Sequence, residues 1–292
     1  MPRPSLRSLL APRPPQPPRP TSSRAGRNLK AAVPTALILL ALVALSVLWR
    51  IELFVVLVVV ALSFAVWEAA GAFLARRIRL PLTMLLVGNI AILALAWWRG
   101  LGAAMLGFGA TVVACAVWLG IRDRAQAQVS DAACAVFVSL WISVLGSFAV
   151  ALCQLDSPAW MVAALILLPV ANDTGGWAAG VLFGRHPLAP RISPKKTWEG
   201  LAGSVLACLV VALLLATVAL GHSVWWALVI GLAAVVCCTA GDLLESRLKR
   251  WLGVKDMGAI FPGHGGMLDR IDSILLWAPF CYLFFAAAQG VL

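Results

Sequence analysis

Residues 53–75 read LFVVLVVVALSFAVWEAAGAFLA, a run with a single charged side chain, Glu68. A helix of about 20 mostly apolar residues is long enough to cross the hydrocarbon core of a bilayer. Other stretches share this character, and the predicted spans cover residues 31–49, 53–75, 80–98, 101–121, 131–153, 158–183, 201–221, 224–244 and 271–290. The sequence therefore predicts an all-α, polytopic integral membrane protein with about nine transmembrane helices.

The overall composition supports the same class. Of 292 residues, 62% are hydrophobic and only 12% are charged, whereas about a quarter of a soluble domain is charged. So few charges cannot provide a water-facing surface, which excludes a soluble globular protein. The net charge of +11 does not indicate nucleic-acid binding, because the basic residues lie beside and between the apolar spans.

The basic residues indicate the orientation. They are concentrated before the first span and in alternate connections, near residues 76–79, 122–124, 185–199 and 245–270. Cytoplasmic loops carry the excess of Lys and Arg. Nine spans with a cytoplasmic N-terminus place every basic loop on one side, whereas eight or ten spans do not. We therefore expect a multi-pass protein of the plasma (inner) membrane.

Three regions follow from this pattern. Residues 1–30 are rich in Pro, Arg and Ser, which predicts a disordered cytoplasmic tail that binds anionic lipid headgroups weakly. Residues 31–170 form N-terminal transmembrane helices, and residues 171–292 contain the polar loops 185–199 and 245–270. In the sixth span, polar residues and glycines around Asp173 leave open whether the helix is broken or is followed by a half-helix. The cysteines are interpreted as apolar packing residues.

The placement of the acids points to a site. The chain has 12 Asp and Glu residues, and the following lie in or beside the two polar loops: Asp173, Glu199, Asp242, Glu245, Asp256, Asp269 and Asp272. A carboxylate within a span, such as Asp173 or Asp242, is a functional candidate, with a structural ion pair as the alternative. Asp269 and Asp272 share one helix face. Considered by themselves, the two acids would be explained by capping of the helix N-terminus. Their position beside Asp242 instead favours a divalent-cation site. For Glu68, a structural role is favoured.

A glycine-rich loop, residues 261–266, precedes Asp269. Glycines let backbone N–H groups approach an anion closely. His264 is a candidate general acid or base, a phosphate ligand or a hydrogen bonder that shapes the loop. Basic residues suited to phosphate oxygens lie in both polar loops, namely Lys195, Lys196, Lys249, Arg250, Lys255 and Arg270. The two loops together predict a site for a metal ion and a polyphosphate.

Residues 246–272 fit the pattern S-x-x-K-R-x4-K-D-x-G, then P-G-H-G-G, then D-R-x-D, with every fixed position filled. This stretch resembles the signature of the phosphatidate cytidylyltransferases, also called CDP-diacylglycerol synthases. Residues 193–200 resemble a second motif of that family. Residues 172–184 resemble a third, although Gly176-Trp177 stands where many members have Ala-Tyr or Ala-Phe. The resemblance covers about the C-terminal 125 residues, and the rest is similar only as a set of spans.

The resemblance implies that CTP and phosphatidate react to give CDP-diacylglycerol and pyrophosphate, by attack of the lipid phosphate on the CTP α-phosphorus. It implies that residues 171–292 form the catalytic region, with its site facing the cytoplasm. The implied catalytic residues are Asp242, Lys249, Arg250, Lys255, Asp256, His264 and Arg270. The implied substrate-binding residues are Ser193, Lys195, Lys196, Ser246, Gly263, Gly265 and Gly266. The implied metal ligands are Asp173, Asp242, Asp269 and Asp272.

The expected partners are CTP, phosphatidate and membrane lipids, with no nucleic acid, and a homodimer is left open. The expected cofactor is Mg²⁺, and the resemblance also suggests a monovalent cation such as K⁺. Alternatives are an enzyme that acts on a different lipid phosphate, a CTP-dependent polyprenol-type kinase, a transporter with Asp173 and Asp242 along an ion path, and an inactive scaffold. A transporter leaves the glycine-histidine loop and the one-sided basic cluster without a role.

Overall fold

In a computed structural model, the described part of the chain comprises residues 29–122, 129–219, 221, 223–258, 260 and 265–291, with residues 12, 14 and 15. The predicted tail lies mostly outside these residues, as do Gly263 and His264.

The described chain is a bundle of long helices. Their bounds are α1 Leu29–Trp49, α2 Ile51–Phe73, α3 Leu82–Arg99, α4 Leu101–Arg122, α5 Val129–Leu152, α6 Pro158–Phe183, α7 Trp198–Leu213, α8 Val224–Leu252 and α9 Leu268–Ala288. Within the described residues, 8 helices, α2 to α9, are long and apolar enough to cross a membrane. Helix α1 coincides with the predicted first span, and its described side chains, Ile38–Trp49, are apolar apart from Ser46. The predicted all-α polytopic fold is confirmed.

Helix α6 runs unbroken through its polar residues and its glycines. The glycines lie where α6 meets α7. A Cβ atom added at Gly175 would lie 2.5 Å from the carbonyl oxygen of Gly203, and one at Gly200 would lie 2.8 Å from that of Gly176. Small residues let helix backbones approach closely in membranes. The glycines are therefore a packing surface and not a break.

Helix α8 is longer than the predicted span, which ended at residue 244. It continues to Leu252 and ends at Gly253, which has a left-handed φ of 76°. The N–H of Val254 then donates to the carbonyl of Lys249 over 3.0 Å, a bond typical of a glycine-terminated helix. The predicted loop 245–270 is thus wrong in its first part, because its polar residues form two further helical turns.

A short antiparallel hairpin, β1 Pro187–Ala189 and β2 Ser193–Thr197, connects α6 to α7. Glu199 stabilises the base of the hairpin, because its carboxylate accepts from the N–H groups of Arg185 and His186 over 3.1 and 3.2 Å. The Thr197 hydroxyl accepts from the N–H of Gly200 over 3.1 Å and caps α7. The position of this hairpin determines which parts of the bundle Lys195 and Lys196 can contact.

Helix α9 packs against α8, α6, α5 and α2. The crossing with α8 is close, because a Cβ atom at Gly241 would lie 2.8 Å from the carbonyl oxygen of Asp272. All 7 cysteines are unpaired and six are buried, which agrees with their interpretation as packing residues. The crossing brings the polar end of α8 beside the first turns of α9.

Candidate active site

The polar end of α8 presents one face with chemically active side chains. Asp242, Glu245, Ser246 and Lys249 recur at spacings of three and four, which places them on the same side of a helix. The Ser246 hydroxyl donates to Asp242 Oδ1 over 3.2 Å. The extension of α8 therefore creates this arrangement, since a loop would not align the side chains.

Lys249 joins α8 to α9 through two carboxylates. Its ammonium group forms an ion pair with Glu245 one turn earlier, and another over 2.9 Å with Asp269 Oδ1 on α9. The Glu245 side chain is 0% exposed and that of Asp269 is 4% exposed. A charge removed from water in this way needs a close partner of opposite sign. Lys249 is thus the electrostatic centre of the α8–α9 contact.

Asp269 also organises the chain that precedes α9. Its Oδ2 atom accepts from the N–H of Gly266 over 2.8 Å and from that of Met257 over 3.0 Å. A Cβ atom at Gly265 would lie 3.1 Å from the same oxygen and 3.7 Å from Cβ of Asp256. Both oxygens of Asp269 therefore have hydrogen-bond donors from the protein.

The hairpin contributes one cation to the site. Lys196 Nζ lies 2.7 Å from Asp242 Oδ2, and the two side chains are 24% and 31% exposed. Neighbouring residues of a strand point to opposite faces, and Lys195 is exposed. Of the two lysines predicted to border the substrate, the structure brings only Lys196 to Asp242.

Asp173 and Arg270 complete the cluster. Asp173 is exposed although it lies within α6, and its Oδ1 atom accepts from the Asn172 amide over 3.2 Å. Its electrostatic neighbours include Asp242, Lys196 and Arg270. Within the described residues, Arg270 Nε is buried without a hydrogen-bond partner. A buried guanidinium donor of this kind is suited to an anionic ligand.

The predicted metal ligands differ in their surroundings. Asp242 is an electrostatic neighbour of Asp173 and of Asp272, and it is accessible. Asp272 is buried and accepts from the N–H of Ser273 over 2.7 Å. Among the described residues, no group of three or more His, Cys, Asp or Glu is arranged to hold a metal ion. Mg²⁺ is usually held by one or two carboxylates together with substrate phosphates, which Asp242 and Asp173 fit best.

The described contacts do not bring every predicted residue to this cluster. Ser193 is half-buried in β2, whereas Arg250 and Lys255 are exposed near the end of α8. Asp256 lies next to Gly265 at the edge of the cluster. The roles predicted for these residues, and for Gly263 and His264 outside the described part, stay predictions.

Two buried carboxylates outside the predicted set contact the elements that form the site. Glu245 was noted as an acid but given no role, although it pairs with Lys249. The four-residue spacing between Glu245 and Lys249 would reveal this ion pair once α8 is known to extend through both residues. Glu68 reaches the N–H of Leu268 over 3.0 Å. No local pattern indicates that contact, because the two residues are 200 positions apart.

The fold and the cluster together define a class of protein. This is a polytopic membrane protein in which carboxylates and partly buried cations meet at one end of a helix bundle. Carboxylates suit metal ions, and fixed cations suit phosphate oxygens. The class is that of a membrane enzyme for phosphate chemistry.

Known proteins identify the family. Residues 30–288 match the model of the cytidylyltransferase family. The chain is 38% identical over 268 residues to a phosphatidate cytidylyltransferase of Mycobacterium leprae, which covers 86% of each chain. It is 37% identical over 267 residues to the protein of that name from Mycobacterium bovis, which covers 87% of each. A phosphatidate cytidylyltransferase of Haemophilus influenzae is 38% identical over 126 residues, 41% of this chain and 44% of its own.

The chain therefore belongs to the cytidylyltransferase family and is a nucleotidyltransferase. The match extends well beyond the C-terminal 125 residues to which the sequence motifs pointed. It includes α2, the helix that carries Glu68.

Proposed function

We propose that this protein is a phosphatidate cytidylyltransferase, which joins CTP and phosphatidate to give CDP-diacylglycerol and pyrophosphate. The observation that carries the proposal is the cluster in which Lys196 of the hairpin meets Asp242 of α8, beside Arg270 of α9. The names of the relatives support the choice of phosphatidate.

The reaction needs charge stabilisation more than base catalysis. The lipid phosphate is already an anion, and an oxygen of it forms the new bond to the α-phosphorus while the bond to pyrophosphate breaks. Lys196 and Arg270 would offset the repulsion between the anions and stabilise the charge that develops on the leaving group. Lys249, held between Glu245 and Asp269, keeps α8 and α9 in register. Cations that the fold holds in place need little rearrangement as the reaction proceeds.

Mg²⁺ is the proposed cofactor, with Asp242 and Asp173 as its first ligands and Asp269 and Asp272 as the further ligands that the sequence predicts. When bound, it would neutralise phosphate oxygens of CTP. For Asp269 to join, the carboxylate would have to share its oxygens with Lys249 and two backbone N–H groups.

We place the site at the cytoplasmic face of the plasma membrane. The basic turn after α2 lies at the same end of the bundle as the site, because the Arg76 guanidinium lies 5.1 Å from the ring centre of Trp251, near the end of α8. Positive residues mark the cytoplasmic side. CTP would enter there from water, while the lipid phosphate stays at headgroup level.

The test is direct. The purified protein in detergent is incubated with labelled CTP, phosphatidate and Mg²⁺, and the lipid product is separated. We expect CDP-diacylglycerol and equimolar pyrophosphate, both dependent on each substrate and abolished by a chelator. A folded protein that gives no lipid product from phosphatidate, but does so from another lipid phosphate, would redirect the proposal to that lipid. No product from any lipid phosphate would overturn it.

The two neighbouring lysines of β2 provide a matched comparison. We expect Lys196→Met to lower kcat/KM about 100-fold, because it removes the cation paired with Asp242. Lys195→Met, which removes an exposed charge on the opposite face of the strand, should have a much smaller effect, about threefold. Steady-state kinetics with both substrates varied would measure this. Equal losses in the two variants would contradict the proposed assignment of Lys196 to the site.

A further inference from the structure

Glu68 of α2 lies against the chain that leads into α9. Its side chain is almost entirely buried, with the residue 2% exposed. Its Oε2 atom accepts from the N–H of Leu268 over 3.0 Å, and the backbone N–H groups of Met267 and Ile260 are further electrostatic neighbours of the carboxylate, whose Oε1 atom has no hydrogen-bond partner among the described residues. Several backbone donors that converge on one carboxylate form a preferred setting for an anion.

Two of these donors, the N–H groups of Met267 and Leu268, belong to the beginning of α9. The first N–H groups of a helix have no partner within the helix. Leu268 is the first residue of α9, and Met267 before it provides no capping side chain. Glu68 supplies the missing acceptor from another helix, with a negative charge where the helix dipole favours one. Asp269 accepts from the N–H of Gly266, two residues before α9, so two carboxylates bind the backbone that leads into the helix.

A steric requirement explains why the two positions beside Glu68 are glycines. A Cβ atom built at Gly258 or Gly266 would clash directly with the Glu68 carboxylate. Both positions belong to the fixed glycines of the motif in residues 246–272. The anion that these glycines approach in the structure is therefore a carboxylate of the protein itself.

We propose that Glu68 is a positioning residue for the reaction, which holds Gly258, residues 266–268 and the first turn of α9 in the geometry that binds the CTP phosphates. An apolar side chain would fill the same space without accepting a hydrogen bond from Leu268. The segment that Glu68 anchors ends where Asp269 and Arg270 begin. The role in CTP binding rests on the proposed function, whereas the anchoring of the segment does not.

Kinetics distinguish positioning from bulk stability. Glu68→Gln keeps the shape of the side chain but removes the charge, and charge-assisted hydrogen bonds are roughly twice as strong as neutral ones. We expect the KM for CTP to rise about tenfold while the KM for phosphatidate changes less than about twofold. The matched control is Glu52→Gln, which removes an exposed carboxylate at the other end of α2 and should behave as wild type. A Glu68→Gln variant that matches Glu52→Gln, or raises both KM values equally, would overturn the proposal.

Steric complementation gives a second variant if Glu68→Gln folds poorly. Gly266→Ala should lower kcat/KM for CTP strongly, because its methyl group collides with the carboxylate. Glu68→Asp withdraws the carboxylate by one methylene group. The double variant should therefore lose less than the product of the two single losses, as contacting residues are not additive. Multiplicative losses would contradict direct contact between Glu68 and this segment.

Hydrogen exchange of the full-length protein tests the anchor without any reaction. We expect the amides of Met267 and Leu268 to exchange about tenfold faster in Glu68→Gln than in wild type or Glu52→Gln, with α5 and α7 unchanged. If Glu68→Gln exchanged faster at these amides although the wild type made no CDP-diacylglycerol, the anchor would be supported while the proposed function failed. Unchanged exchange at both amides would overturn the anchor even if the enzyme is active.

Discussion

Replacing Asp242 with asparagine is expected to lower kcat by about a thousandfold while the protein remains folded. Asp242 connects the components of the site, because it pairs with Lys196, accepts from Ser246 and is an electrostatic neighbour of Asp173 and Asp272. Asparagine has the same shape but neither balances Lys196 nor attracts a divalent cation. Loss of one well-placed electrostatic group in an active site usually lowers the rate by a factor of about 10²–10³.

The measurement is kcat as a function of Mg²⁺ concentration, alongside thermal unfolding in detergent. Asp156→Asn is the matched control. Asp156 is an exposed carboxylate before α6, at the end opposite the hairpin, and we expect its variant to retain wild-type kcat. If Asp242→Asn retained more than about a tenth of the activity at saturating Mg²⁺, Asp242 could not be the central carboxylate of the site.

The second large effect is expected on stability. Lys249→Met would leave Glu245 and Asp269 buried without their shared cation. Removing one partner of a buried ion pair typically lowers the free energy of unfolding by about 3–5 kcal/mol. We therefore expect a pronounced fall in the unfolding midpoint in detergent, measured by denaturant titration, and a loss of activity under conditions where the wild type is stable.

Two comparisons define that result. Arg247→Met removes an exposed charge from the same helix and should unfold as wild type. Adding Glu245→Gln to Lys249→Met removes one of the two unpaired charges, so the double variant should regain part of the lost stability. A Lys249→Met variant as stable as Arg247→Met would show that the ion pairs do not hold α8 to α9.

The membrane fold could be predicted because its signal is local. Apolar runs such as residues 53–75 need no knowledge of tertiary contacts to be identified as spans. The same is true of Asp269, whose separation from Asp272 places both at the start of α9. The bounds of α8 could not be predicted in this way, since charged residues after Asp242 have the composition of a loop while they continue a helix beyond the apolar span.

The features that the sequence left open have a common physical origin in contacts between distant elements. Gly175 and Gly176 resemble a helix break until Gly200 and Gly203 of α7 are placed against them. The sequence favours a structural role for Glu68, which its buried hydrogen bond with Leu268 does not contradict, but that partner cannot be identified locally because 200 residues separate the two. In each case the sequence contains both partners but no local pattern that connects them.

The continuity of α8 restricts how this site can change over evolutionary time. Each residue inserted into an α-helix turns everything beyond it by about 100° and moves it by about 1.5 Å. One insertion between Asp242 and Lys249 would swing the lysine away from Asp269, whatever residue was inserted. The number of residues between these two positions is therefore expected to be invariant among active enzymes. Residues 254–258, which follow α8 outside any helix, are not bound by that rule, and changes in length should be confined to such segments.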